Sequence, residues 1–123
     1  MDYACRIPYT LRKQVPMAKV VWREKASLLL EEHIDYALNE FGRKAVSNWY
    51  NDILRIESRM AMLPESFTPE PLLAHRGKTY RGAIIMKNFK LIHYYDSEND
   101  TVYIDYIWDM RMNPVKLKRM KFE

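Results

Sequence analysis

A single cysteine, Cys5, stands in the whole chain. No disulfide can close within it, and no thiolate zinc cage can be built. Histidine is nearly as scarce. His33, His75 and His93 lie far apart, with no two at ligand spacing on one helix, so neither a metal nor another cofactor is expected. Long apolar runs are missing too. None approaches the roughly 18 residues needed to span a bilayer, and the first residues lack the apolar heart of a secretory signal. A reducing, cytoplasmic setting away from the membrane fits best. Only 3 glycines occur and 48% of the residues are hydrophobic, which argues against wholesale disorder. What remains is a chain of 123 residues, the size of one domain able to bury a single core unaided. Its net charge of +4 permits an anionic partner without demanding one.

Residues 1–16 differ from the rest. Pro8 and Pro16 interrupt them, and Tyr3, Ile7, Tyr9 and Leu11 trace no helical face. They read as an N-terminal extension that is not native, with Met17 as the natural start of a single domain over residues 17–123; the intact mass of the natural protein tests this. Setting aside Arg6, Arg12, Lys13 and Asp2 lowers the charge from +4 to +2, so the basic balance is partly an end effect.

The run Lys19 to Trp22 predicts a first strand. A helix follows from about Glu24 to Phe41, where Ala26, Leu29, Leu30, His33, Ile34, Ala37, Leu38 and Phe41 recur at helical steps and Gly42 offers a left-handed cap. A second helix covers about residues 44–62. Its stripe is Val46, Trp49, Ile53, Ile56, Met60 and Leu63, and Pro64 stops it. So short a link around Gly42 forces an antiparallel hairpin, its seam expected between Trp49, Ile53, Ile56 and Leu30, Ile34, Phe41. Residues 64–78, with Pro64, Pro69, Pro71 and Gly77, form a loop. The tail after Pro114 is a short closing helix or a loose end.

Between residues 79 and 114 lie three segments rich in β-branched and aromatic residues, joined by turns at 87–88 and 97–100: an antiparallel meander. Each holds a cation, Arg81, Lys90 or Arg111. Strict alternation would put Val102, Ile104, Tyr106 and Trp108 under the helices, and Tyr103, Asp105, Ile107, Asp109 and Arg111 outward. The register stays open, and with it whether the three cations converge. The alternative is a solvated face with scattered salt bridges, for instance Asp109 with Arg111. His93 reads first as a packed core histidine and second as an acid or base. Tyr94, Tyr95, Tyr103 and Tyr106 are numerous enough to stack single-stranded bases, although strand tyrosines are commonly packing.

The ordered set Val20-Val21-Trp22, Tyr36 to Gly42, Ala45 and Trp49, Leu63-Pro64, Tyr80-Arg81, Phe89-Lys90-Leu91-Ile92-His93-Tyr94 and Trp108-Asp109-Met110-Arg111 with Asn113-Pro114 resembles the RelE/ParE family of bacterial toxins from type II toxin–antitoxin modules. The resemblance spans residues 18 to about 117. It implies an α+β fold, an antiparallel helical hairpin on a small, mainly antiparallel four-stranded sheet in the order β-α-α-β-β-β. It implies a toxin that arrests growth when free of its cognate antitoxin and forms a hetero-oligomer with it. An antitoxin segment would neutralise Arg81, Lys90 or Arg111, or add a strand to the sheet edge.

Two activities divide the family. ParE-like members poison DNA gyrase by binding; RelE-like members cleave mRNA in the ribosome. Cleavage needs a base for the 2′-hydroxyl, cations for the phosphorane and an acid for the leaving oxygen. If the chain is a RelE-like nuclease, the resemblance assigns the phosphate-holding roles to Lys90, Arg111 and Arg81, and His93, the better candidate by its intrinsic pKa, or Tyr94 would supply the acid or base. Three departures favour the ParE-like branch. Lys90 stands where the family usually has arginine, losing the planar fork. No tyrosine or histidine follows Arg111. The helical hairpin is long and regular.

Overall fold

In this computed structural model the described residues are 17–122, so the extension proposed at 1–16 lies outside them. Strand β1 is Lys19–Trp22, helix α1 Glu24–Phe41 and helix α2 Arg43–Met62. A 3-10 turn at Pro71–Leu73 interrupts the long loop. Strands β2 (Arg81–Ile85), β3 (Phe89–Asp96) and β4 (Thr101–Asp109) form the meander, and helix α3 (Pro114–Lys118) closes the chain. The sheet order is β1-β4-β3-β2, with β1 parallel to β4 and the other pairs antiparallel. This is the expected α+β architecture. No helix among the described residues is long and apolar enough to cross a membrane.

Gly42 alone joins the two helices. Its φ of 86° and ψ of −172° lie outside the left-handed cap region expected for it, in a region open essentially to glycine alone. Its amide donates to the carbonyls of Ala37 and Leu38, which ends α1 and starts α2 in one residue. The middle of the α2 stripe is buried as read, with Trp49, Ile53, Ile56 and Met60 at most 5% exposed; Val46 is half-buried, and Leu63, past the helix end, is 60% exposed. Burying Ile53, Ile56 and Met60 contributes about 1.5–3 kcal/mol each. The α1 stripe runs out earlier than expected. Leu30 is buried, but Leu38 is 47% and Phe41 70% exposed, so Phe41 is not part of the seam. With Gly42 directly behind it, Phe41 reaches the end of the hairpin instead of its interior.

Strict alternation fails once in β4. Ile92 pairs with Tyr106 and His93 with Ile104, which leaves Asp105 as the extra residue of a β-bulge. Beyond it the faces swap. Val102, Ile104 and Ile107 pack under the helices, whereas Tyr103, Tyr106 and Trp108 join the opposite face. That face is covered as well. Leu73, Leu117, Met120 and Phe122 lie over Tyr80, Ile92, Tyr94 and Trp108. The tail is therefore the closing helix, capped by Asn113 through its side-chain oxygen on the Val115 amide at 3.0 Å. Of the four tyrosines read as stacking candidates, Tyr94 is only 8% exposed and packs against Tyr80 and Tyr103, and Tyr95, Tyr103 and Tyr106 are half-buried.

The outer edge of β2 is occupied by the chain itself. Pro69 bridges Arg81, the Gly82 amide donates to the Thr68 carbonyl at 3.1 Å, and the Met86 amide donates to Asp52 Oδ2 at 2.8 Å. A partner strand does not find this edge open.

Candidate functional site

The structure does not gather the four residues assigned to a nuclease. Arg81 lies on the helix side of β2, opposite His93 on β3. Its guanidinium donates to the Phe67 carbonyl at 2.8 Å and comes within 3.9 Å of Glu65. Lys90 projects from the other face of the sheet. Its ammonium binds Glu70 Oε1 at 2.6 Å, and that carboxylate is buried by the loop. The lysine stem passes directly over Gly82, where an added Cβ would come 2.3 Å from Lys90 Cδ. Arg111 lies past the end of β4, over the Phe89 ring at 5.5 Å. Phe89 is four residues along β3 from His93, about 13 Å at the usual strand rise. Only Arg81 and His93 are neighbours.

His93 is enclosed, at 0% exposure. Its Nδ1 is 3.0 Å from the Leu91 carbonyl, which only a protonated nitrogen can satisfy, so Nε2 carries the lone pair and has no hydrogen-bond partner. The Phe67 ring meets the imidazole edge-on at 5.2 Å. Burial pushes its pKa down to about 4, against the Leu91 bond, and the charges of Arg81 and Arg59 add to the drop. It is a neutral core histidine, as first read from its place in the strand.

Arg111 is the one residue of the four that lines an aromatic cleft. This cavity of about 570 Å³ opens between the hairpin end and the β2–β3 turn. Its floor is His33 stacked on Trp49 at 5.5 Å with planes 9° apart, and tilted against Phe89 at 4.5 Å. Tyr36 and Phe41, in edge contact at 6.1 Å, stand at its mouth, 61% and 70% exposed. On the far wall Arg111 donates twice to Asp109, from Nε and Nη2, both at 3.0 Å, which is the salt bridge anticipated from sequence. The Arg111 bonds hold the Asp109 carboxyl below its ordinary range. Burial lowers the His33 pKa, and Asp109 and Glu32 oppose that. The cleft thus offers flat apolar rings with one ion pair on its rim. It can bury an apolar or aromatic group, with His33 as the one imidazole on its walls.

A second, polar cleft of about 690 Å³ includes Arg81, Lys78, Glu65, Tyr94 and Asp96. Its charges are mixed and the walls contain no enclosed catalytic pair. Among the described residues, no three His, Cys, Asp or Glu side chains gather closely enough to hold a metal.

Sequence reading passed over two of these features. His33, Tyr36 and Phe41 were legible as neighbours on one helix but were counted with the core stripe. Glu70, between Pro69 and Pro71, gave no signal of its contact with Lys90, 20 residues away.

No family model matches this chain, and no curated protein does. Among solved structures it is similar to a chain of the chromosomal ParDE TA system from P. aeruginosa. The TM-score is 0.59 at 15% identity, covering 76% of this chain and 96% of that one. The likeness is one of fold, and it agrees with the RelE/ParE-like architecture read from the sequence.

Proposed function

We propose that this protein is the toxin of a type II toxin–antitoxin module and that it acts by binding, with DNA gyrase as the target, not by cleaving RNA. The fold shared with the ParDE chain supports the first part. One observation carries the second: Arg81, Lys90 and Arg111 occupy three separate places, each beside its own carboxylate, Glu65, Glu70 and Asp109. A phosphorane needs convergent, available cations and a titratable partner within reach. Here His93, the neighbour of Arg81, is neutral and sealed, and His33, in the cleft with Arg111, has neither Arg81 nor Lys90 beside it.

In this reading the working surface is the aromatic cleft. Exposed Tyr36 and Phe41 form an apolar lip of the kind that marks a protein–protein contact, and Arg111 fixes its polar rim. A cognate antitoxin forms a hetero-oligomer with this chain and silences it. The antitoxin segment has no call to neutralise Lys90, which Glu70 already satisfies.

The test is induction of this chain in a bacterial host with separate readouts of transcript cleavage and gyrase-linked DNA breaks. Growth arrest with DNA breaks and intact transcripts is expected. Arg111→Ala should weaken arrest without changing stability, because Arg111 is exposed. Cleaved transcripts that become intact in Arg111→Ala would instead establish the RelE-like nuclease.

A further inference from the structure

The cations weighed so far are all matched by acids. The unmatched ones lie elsewhere. Two stretches, residues 71–80 and 110–122, contain no Asp or Glu at all. The fold brings them together: Arg76 Nη2 donates to the Lys118 carbonyl at 3.2 Å and also to the Met120 carbonyl, so the loop abuts the C-terminal segment. Lys78, Lys116, Lys118, Arg119 and Lys121 are all exposed. None of the five has a carboxylate within salt-bridge distance among the described residues. Arg76 spends its hydrogen bonds on neutral carbonyls and stacks over Phe122 at 5.2 Å, so its charge is uncompensated too.

We propose that this face, formed by α3, the residues after it and the loop 75–78, binds the phosphate backbone of duplex DNA. Three observations choose the ligand. First, cations predominate on this face and none of the five is in a salt bridge among the described residues, although Lys78 also borders the cleft with Glu65 and Asp96; that excess raises the local concentration of a polyanion. Second, Leu117, Met120 and Phe122 pack onto the sheet, which commits most of the tail's apolar surface inwards; the cleft of about 300 Å³ beside Met120 and Phe122 is shared with Arg23, Lys25, Asp105 and Lys121 and offers no continuous apolar stripe for an acidic amphipathic peptide. Third, the adjacent rings are engaged with one another. Tyr80 meets Tyr94 at 5.6 Å and Phe122 at 5.3 Å, and Lys78 sits over Tyr94 at 4.3 Å, so no ring is open to stack an unpaired base. Contact is therefore with phosphates, which calls for charge alone and carries no sequence preference. The inference does not depend on gyrase being the target.

Fluorescence anisotropy of the full chain with a labelled duplex of about 20 base pairs, from about 50 to 200 mM salt, tests it. Five phosphate contacts predict a slope of log K against log salt of about −4.5, at about −0.9 per contact. The triple variant Lys118→Gln, Arg119→Gln, Lys121→Gln should reduce that slope by about 3, and Lys78→Gln, on the other segment, by about 1. Arg43→Gln with Lys44→Gln, at the start of α2, should leave it unchanged. Thermal melts establish that each variant is folded, and Lys78→Gln decides the outcome if the triple variant is not. Absence of salt-dependent binding, a slope indifferent to both sets, or tighter binding to a Glu-rich peptide than to the duplex at equal salt would each overturn the proposal.

Discussion

His93 shows how completely surroundings decide what a side chain can do. An imidazole usually titrates near neutrality. Enclosed between β3 and Phe67, this one is held neutral, with its pKa pushed down to about 4. Because the folded value lies below the unfolded one of about 6.5, its neutral form supports folding above pH 6.5. That contribution is lost as pH falls from about 6.5 towards 4, where the unfolded chain binds a proton that the folded one refuses. The full loss is about 3 kcal/mol. Urea unfolding across that range should be visibly steeper in pH for the native chain than for His93→Leu. His33 is shifted the same way and contributes in both proteins, so the difference between the two curves isolates His93.

Lys90 carries a second lesson at this scale. Its ion pair with Glu70 is largely enclosed, at 22% and 3% side-chain exposure. Removing one partner alone strands the other charge. Glu70→Gln should cost about 2–4 kcal/mol, at or below the usual range because Lys90 retains some water. Lys90→Met combined with Glu70→Leu should recover most of it, as measured by denaturation midpoints in a double-mutant cycle. A loss of toxicity in Lys90→Ala would therefore report folding as much as function. The Asp109–Arg111 pair was legible because its members are two residues apart. Glu70–Lys90 was not, because it depends on how a proline-rich loop crosses the sheet, which no local pattern encodes.

The secondary elements were the most legible part. β1 and α1 begin and end where the apolar steps and Gly42 put them, and α2 starts one residue earlier than read. Helical stripes survive such reading since they repeat over many turns. Strand faces do not, because one inserted residue reverses all that follow. Asp105 is that residue. Nothing in the run Val102-Tyr103-Ile104-Asp105-Tyr106-Ile107-Trp108 marks it as the bulge, and both apolar sets are equally able to be buried. Gly42 carries the prediction at this scale. Space is open around it, with nothing within 4 Å of an added Cβ, so any penalty comes from the backbone alone. Gly42→Ala should destabilise by about 1–3 kcal/mol, seen as a lower urea midpoint with unchanged far-ultraviolet dichroism. Relief through a rebuilt link would show as no change in midpoint.

For the molecule as a whole, the succession of helices and the antiparallel meander followed from the periods, the α+β class came with the family resemblance and agrees with the fold likeness, and the sheet order β1-β4-β3-β2 is seen only in the structure. The site did not follow. Arg81 and Lys90 share a sheet and yet fall on opposite sides of it, and Arg111 lies past its end, since strand parity and the ends of the sheet decide their positions, not their chemistry. Aromatic lip and cationic tail instead arise where distant segments meet: the hairpin end with the β2–β3 turn, and the loop 75–78 with the last residues. The protein thereby separates an apolar contact surface from a charged one.

Its lateral margin has a further bearing on assembly. A newcomer that tried to lengthen the sheet past β2 would have to pry off covalently tethered residues 68–70, whose backbone already bonds to Tyr80 and Gly82, and break the clasp between Asp52 and Met86. Tethered competitors hold an advantage in effective concentration over any free strand. Growth of ribbons or fibres outward from β2 is therefore obstructed by the molecule's own covalent continuity, while its helices and tail remain at liberty to engage other molecules.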